Sequence, residues 1–221
     1  MKFTHLSLIL LATLSAISAM AGQFDKLTAK EIMSLPQEKL EKIFLKENCP
    51  NLECDFGYGT RNSANISMAQ KLAVYNYTLG VFDSLNPALY SGKLTKDQLA
   101  FTRVFDSALL KMPSIKMTVY RGTSKKFVAK VGSVVEFKAY TSTSTEKDVA
   151  EGFVRDRLMV LKIKTGKDIQ DYSNAGNERE ILIPRGVKFK VDGVTFKEML
   201  LGEDPSDLKP VKVEVVRMSE I

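Results

Sequence analysis

Glu178 and Glu180 stand two residues apart in Asn174-Ala175-Gly176-Asn177-Glu178-Arg179-Glu180, which runs directly into the apolar Ile181-Leu182-Ile183-Pro184. Alternate side chains of an extended backbone project to one side, so the two carboxylates are expected to face one reaction centre together. A bare Glu-x-Glu is also what an ordinary loop-to-strand entry with solvated charges looks like. Two further stretches weigh for chemistry: Val119-Tyr120-Arg121-Gly122 and Tyr140-Thr141-Ser142-Thr143-Ser144. The first offers a guanidinium and the second a row of hydroxyls.

The rest of the composition narrows what those groups can do. Residues 1–21 read as a secretory leader, with Lys2 as the positive start, Leu6 to Ile17 as the apolar run and Ala19-Met20-Ala21 as the cleavage site. That run is too short to span a bilayer, which takes ~20 apolar residues. His5, the only histidine, lies inside the leader. The exported chain would then lack imidazole, which excludes a Ser-His-Asp or Cys-His hydrolase and disfavours a zinc enzyme; no metal is expected. Cys49 and Cys54 are the only thiols, and in an exported protein a local disulfide is expected of them. The formal charge of +6 is spread along the chain without a dense basic block, so nucleic acid is not an expected partner. Neither a GxxxxGK[ST] loop nor a GxGxxG is present, so phosphate would be held by other means. Carboxylates, hydroxyls and arginines remain.

The elements that must position them fall into two groups. Asp25 to Leu45 reads as two short helices, with capping-box spacing at Thr28/Glu31 and Ser34/Gln37. A longer helix is expected over Ser63–Leu79, and another opening at Thr95 with Gln98 and ending before Pro113. From Met117 the pattern becomes short β-type runs: Met117–Tyr120, Val134–Thr143, Leu158–Ile163, Glu180–Ile183, Lys188–Val191, Val194–Leu200 and Val211–Met218, with a short helix over Asp148–Phe153. Helices first and strands after, without βαβ alternation, predict an α+β protein. Its expected parts are the leader (1–21), an N-terminal helical extension (22–60) and a catalytic domain (61–221).

An Arg at the end of the first strand, a Ser-Thr-Ser on a later one, and Glu-x-Glu before a strand followed by Leu-Ile-Pro-Arg-Gly together resemble the mono-ADP-ribosyltransferase toxins of the Arg-Ser-Glu class. The resemblance is closest to the enzymatic components of the clostridial binary toxins and their secreted single-chain relatives. It runs in order from about Tyr75 to Val191. It implies N-terminal helices packed on a two-sheet, mainly antiparallel β core, with a cleft for NAD as co-substrate.

The same resemblance implies a role for each matched residue. Arg121 would grip the NAD phosphates, beside Gly122. Ser142 would orient Glu180 through its hydroxyl. Glu180 would hold the ribose and stabilise the cation that forms as the nicotinamide bond breaks, and Glu178 would aim a substrate guanidinium. Relatives that modify asparagine carry glutamine at the place of Glu178, so arginine is the expected acceptor. Tyr77, Phe82 and Asn86 would line the NAD cleft, although Phe82 could equally be core packing. Phe153 matches the phenylalanine that stacks near nicotinamide.

Two departures stand out. Asp156 occupies the place where the family has an arginine three residues after that phenylalanine, which leaves Arg155 or Arg157 to reach a phosphate. Ala175 occupies the place of an aromatic that contacts the protein substrate, with Tyr172 further back. The overall expectation is a secreted, monomeric toxin-type enzyme that transfers ADP-ribose to arginine of a host protein, without stable membrane insertion. Actin is a candidate acceptor that the resemblance does not itself assign. An NAD glycohydrolase and a catalytically inactive NAD-binding secreted protein are the other readings.

Overall fold

The computed structural model of the chain describes residues 22–49, 65–124, 127–174, 178–202 and 205–221. The expected leader, Cys54 and Ala175 lie outside them. Among the described residues no helix is long and apolar enough to cross a membrane.

After a 3₁₀ turn at Gln23–Lys26 come α1 (Ala29–Ser34) and α2 (Gln37–Asn48). Thr28 caps α1 as expected: its hydroxyl accepts from the Glu31 N–H, and the Glu31 carboxylate accepts from the Thr28 N–H at 2.7 Å. Ser34 does not cap α2. It ends α1 and donates to the Glu31 carbonyl at 3.0 Å, while Pro36 precedes α2 without a side-chain cap. A residue before proline is pushed out of the helical region, and Leu35 (φ −58°, ψ 136°) is the break that results.

The helix expected over Ser63–Leu79 starts later and does not stop where it should. α3 (Met68–Asn76) is capped by Ser67 and Gln70, a five-residue π turn (Tyr77–Val81) follows, and α4 (Phe82–Ser91) continues to a left-handed Gly92. α5 (Lys96–Lys111) opens on the expected Thr95/Gln98 capping box. The N-terminal helices share the core of the others. Phe24, Ile32, Leu40 and Phe44 lie in one buried cluster with Tyr77, Phe105, Tyr140 and Leu182. A polar seam adds to this contact, since fully buried Gln70 donates to Glu41 at 2.9 Å and to Ser107 at 2.8 Å. Residues 24–44 therefore pack against α3 and α5.

The strands are β1 (Ile115–Thr123), β2 (Val134–Phe137), β3 (Thr141–Ser144), β4 (Arg157–Asp168), β5 (Glu180–Ile183), β6 (Val187–Leu201) and β7 (Lys209–Glu220), with α6 (Lys147–Gly152) after β3. The expected strand Val134–Thr143 is two strands with different partners, β2 on β6 and β3 on β5. The expected pair Lys188–Val191 and Val194–Leu200 is the single β6, whose register against β7 slips between Val191 and Gly193. The strand order is β1-β3-β5-β4-β7-β6-β2, antiparallel except for β4 against β7. An additional β1–β4 pairing closes β1, β3, β5 and β4 on themselves. The two halves of the antiparallel core thus share β1 and β4 and enclose a second cluster that includes Val119, Leu161, Ile181 and Phe189.

Candidate active site

The Ser-Thr-Ser of β3 lies antiparallel to the start of β5, with Ser142 opposite Leu182, Thr143 opposite Ile181 and Ser144 opposite Glu180. Three consecutive hydroxyls are used on that one neighbour. The Ser142 hydroxyl acts on the Glu180 carboxylate, lowering its pKa. Thr143 donates to the Ile181 carbonyl at 2.5 Å and Ser144 to the Glu178 carbonyl at 2.7 Å. Thr143 and Ser144 therefore hold the backbone that carries the glutamates.

Between the two glutamates the chain is not extended. Arg179 is left-handed at φ 51°, the only described non-glycine residue with positive φ, in a region that non-glycine residues occupy at a cost. Both Glu178 and Glu180 line one cavity. The shared face expected from strand alternation is achieved by a turn, because β5 begins only at Glu180.

That cavity, of about 450 Å³, brings together Tyr77, Phe82, Asn86, Arg121, Gly122, Ser142, Phe153, Glu178 and Glu180, a volume in the range of small-molecule sites. Glu180 is 5% exposed. Burial raises its pKa and the Glu178 charge adds to the rise, while the Ser142 and Ser173 hydroxyls and Arg121 oppose it. Glu178 is half-buried, and burial raises it too. Arg121 donates to the Ser142 carbonyl at 2.5 Å; burial lowers its pKa against the pull of Tyr77, Tyr90 and Glu180. A guanidinium stays charged even so.

The helical wall is built on the π turn. An inserted residue in a helix shifts every side chain after it around the axis, and here Tyr77 meets Phe82 five residues on, with rings 6.1 Å apart, edge to face. Gly80, at φ 151°, supplies the backbone that other residues rarely adopt. The Tyr77 ring is buried against Phe105 at 4.7 Å, and its hydroxyl accepts from Asn86 Nδ2 at 3.1 Å. Burial pushes that phenol up to about 12, so it stays protonated. Phe82 is 39% exposed on the cavity, which makes it a wall residue and not core. Gly122 is there for space: a Cβ would lie 2.1 Å from the Ala150 carbonyl oxygen and 2.5 Å from the Val154 nitrogen. Its absence lets α6 and the following Phe153 close on β1.

Of the two candidate phosphate arginines, the structure separates one from the cavity. Arg157 is 1% exposed, pairs with Glu214 at 2.5 Å, donates to the Phe127 carbonyl at 2.7 Å and lies over the Phe127 ring. It is a core ion pair. Strand alternation turns Arg157 inward, whereas Arg155 precedes β4, is exposed, and has its backbone N–H on the carbonyl of Thr123, a cavity residue. Tyr172 is buried in the helical core and offers no outward aromatic.

Tyr120, Thr123, Tyr140 and Val149 also line the cavity and were not singled out from sequence. Tyr140 was legible as the residue opening the hydroxyl row. Its own hydroxyl donates to Asp106 at 2.7 Å, and Asp106 pairs with Arg185 at 2.6 Å, which ties β3, α5 and the turn after β5 together.

Known proteins resemble this chain in sequence and in fold. Exoenzyme T of Pseudomonas aeruginosa is 31% identical over 169 residues, covering 69% of this chain and 37% of that protein. The erythroblast NAD(P)(+)–arginine ADP-ribosyltransferase of Gallus gallus is 38% identical over 79 residues, 35% of this chain and 26% of that protein. The chain thus spans well under two thirds of either relative. Among solved structures, exoenzyme S of Pseudomonas aeruginosa, in complex with human 14-3-3 protein beta and bound to carba-NAD, superposes with a TM-score of 0.66 at 22% identity, over 83% of this chain and 88% of that one. That likeness is one of fold. Residues 55–214 match the family described as ADP-ribosyltransferase exoenzyme, and the chain belongs to that family.

Proposed function

We propose that this chain takes ADP-ribose from NAD, places it on an arginine side chain of a protein and releases nicotinamide. One observation carries the reading: the carboxylates of Glu178 and Glu180, the Ser142 hydroxyl and the Arg121 guanidinium converge on one cavity with aromatic walls. The naming of relatives as arginine ADP-ribosyltransferases supports it.

Arg121 binds the pyrophosphate, because its donor fork matches phosphate oxygens and remains cationic. Phe82 and Phe153, both exposed on the cavity, supply faces for the rings, and Asn86 and Gly122 complete the wall. Arg155 is the further cation for phosphate. The bond that breaks joins ribose C1′ to nicotinamide; its electron pair leaves with nicotinamide, and positive charge develops on the ribose. Glu180 in its ionised form, which Ser142 and Arg121 favour and the larger effect of burial opposes, stabilises that charge as a fixed carboxylate does at an oxocarbenium-like centre. The acceptor guanidinium pairs with Glu178, attacks C1′ through nitrogen, and passes the displaced proton to the Glu178 carboxylate. Water in place of the guanidinium makes the same cleft an NAD glycohydrolase.

The setting follows the sequence: export through residues 1–21, a Cys49–Cys54 disulfide, and action as a monomer on a host protein. Incubation with NAD and agmatine tests the reaction. Nicotinamide release matched by an acceptor gain of one ADP-ribose is the expected result. Release without acceptor gain indicates the glycohydrolase, and saturable NAD binding without release indicates an inactive binding protein.

A further inference from the structure

We infer that Thr78 and Tyr75, on the helical wall, are positioning residues that decide how much of the released ADP-ribose reaches a guanidino acceptor and how much reaches water. This rests on the transferase reading above and deepens it.

The backbone N–H of Asn174 donates to Thr78 Oγ1 at 2.9 Å. The Thr78 hydroxyl in turn donates to the Tyr75 carbonyl at 2.9 Å, which fixes its proton and leaves a lone pair aimed at Asn174. The Tyr75 hydroxyl donates to Asn174 Oδ1 at 3.4 Å. Next to this anchor, the Ser173 hydroxyl acts on the Glu180 carboxylate, lowering its pKa. The far end of the same segment is held by the sheet, through Ser144 on the Glu178 carbonyl at 2.7 Å and the Thr145 N–H on the Arg179 carbonyl at 3.2 Å. The described residues on either side of 175–177 are therefore tied to two different walls, Asn174 to the helices and Glu178 and Arg179 to the end of β3.

The two glutamates depend on this differently. Glu180 is the first paired residue of β5, opposite Ser144, so the sheet positions it. Glu178 lies upstream of the ladder and beyond left-handed Arg179, so its aim depends also on how the segment arrives. A misplacement on the order of 1 Å lowers the rate of an oriented reaction about 100-fold. Water needs no such aiming, and an acceptor guanidinium does. Releasing the Asn174 end should cost transfer more than hydrolysis.

The test uses the purified protein and its Thr78→Val, Thr78→Ser and Tyr75→Phe variants, with NAD and agmatine. It reads modified acceptor per nicotinamide released and, separately, hydrogen exchange at the Asn174 amide. Thr78→Val should lower the ratio about fivefold, the effect of one neutral hydrogen bond, and speed Asn174 exchange. Thr78→Ser should restore both, and Tyr75→Phe should shift the ratio the same way by less. An unchanged ratio in Thr78→Val, or an equal loss in Thr78→Ser, overturns the assignment. If Thr78→Val does not fold, an unchanged ratio in Tyr75→Phe overturns it. A parent protein that releases no nicotinamide overturns the transferase reading instead, and unaltered Asn174 exchange in Thr78→Val would then still refute the anchor.

Discussion

The Ser144 hydroxyl donates to the Glu178 carbonyl at 2.7 Å, in a register where Ser144 itself pairs with Glu180. One residue of β3 thus fixes the position of both glutamates, through the ladder for one and through its side chain for the other. Ser144→Ala keeps the ladder and removes the second tie, together with the acceptor of the Glu146 N–H. It should lower transfer to agmatine about fivefold, the effect of one hydrogen bond, with a smaller loss of NAD hydrolysis. Steady-state rates of both reactions check this.

The glutamates should separate on neutralisation. Glu180→Gln removes the charge that faces the developing cation and should lower both hydrolysis and transfer by roughly 100- to 1,000-fold. Glu178→Gln should lose transfer to agmatine to a similar extent while keeping much of the hydrolysis. Equal behaviour of the two variants in a nicotinamide-release assay would contradict the division of roles.

Stability and activity should respond to pH in opposite senses at Glu180. Burial raises its folded pKa above the ordinary 4.5, so the folded state binds this proton more tightly than the unfolded chain. Its contribution to stability is fully present below about pH 4.5 and is lost as pH rises through the folded value. Glu180→Gln should therefore melt higher at neutral pH, by on the order of 2–4 °C for each ~1 kcal/mol gained, with the gap closing below pH 4.5. Activity, which needs both carboxylates ionised, should begin to fall at a pH above 4.5 as the solution is acidified. Thermal melts and rate profiles from pH 4 to pH 8 test both signs.

Arg157 should behave as a structural residue. Glu214→Ala leaves a guanidinium buried without its carboxylate, and breaking such a pair costs about 3–5 kcal/mol. Replacing both partners together, Arg157→Met with Glu214→Leu, should recover most of that loss. The double variant should bind NAD with unchanged affinity, whereas Arg155→Ala should weaken it. Denaturant melts and NAD titrations distinguish the two arginines.

Much of the cavity lining was legible in the chain because it is carried by short contiguous stretches. Arg121, Ser142, Glu178 and Glu180 stand out by residue type, and the sheet brings them together. The capping boxes at Thr28 and Thr95 were local enough to be read correctly. Ser34 misled because capping-box spacing says nothing of the proline two residues on, which had already ended the helix. The α+β character followed from the change of hydrophobic period near Met117.

What the tertiary structure alone decided depends on contacts between residues distant in sequence. Periodicity does not distinguish Arg155 from Arg157. Burial of Arg157 against Glu214, 57 residues away, takes it out of the cavity. Phe82 is a wall residue because the π turn at Tyr77–Val81 rotates the helix after it. The common face of Glu178 and Glu180 comes from a left-handed Arg179, a conformation that local preference disfavours and that β3 holds in place through Ser144 and Thr145. Residue types and local spacing picked out groups that line the cavity; non-local packing, which can outweigh local preference, decided where each of them sits.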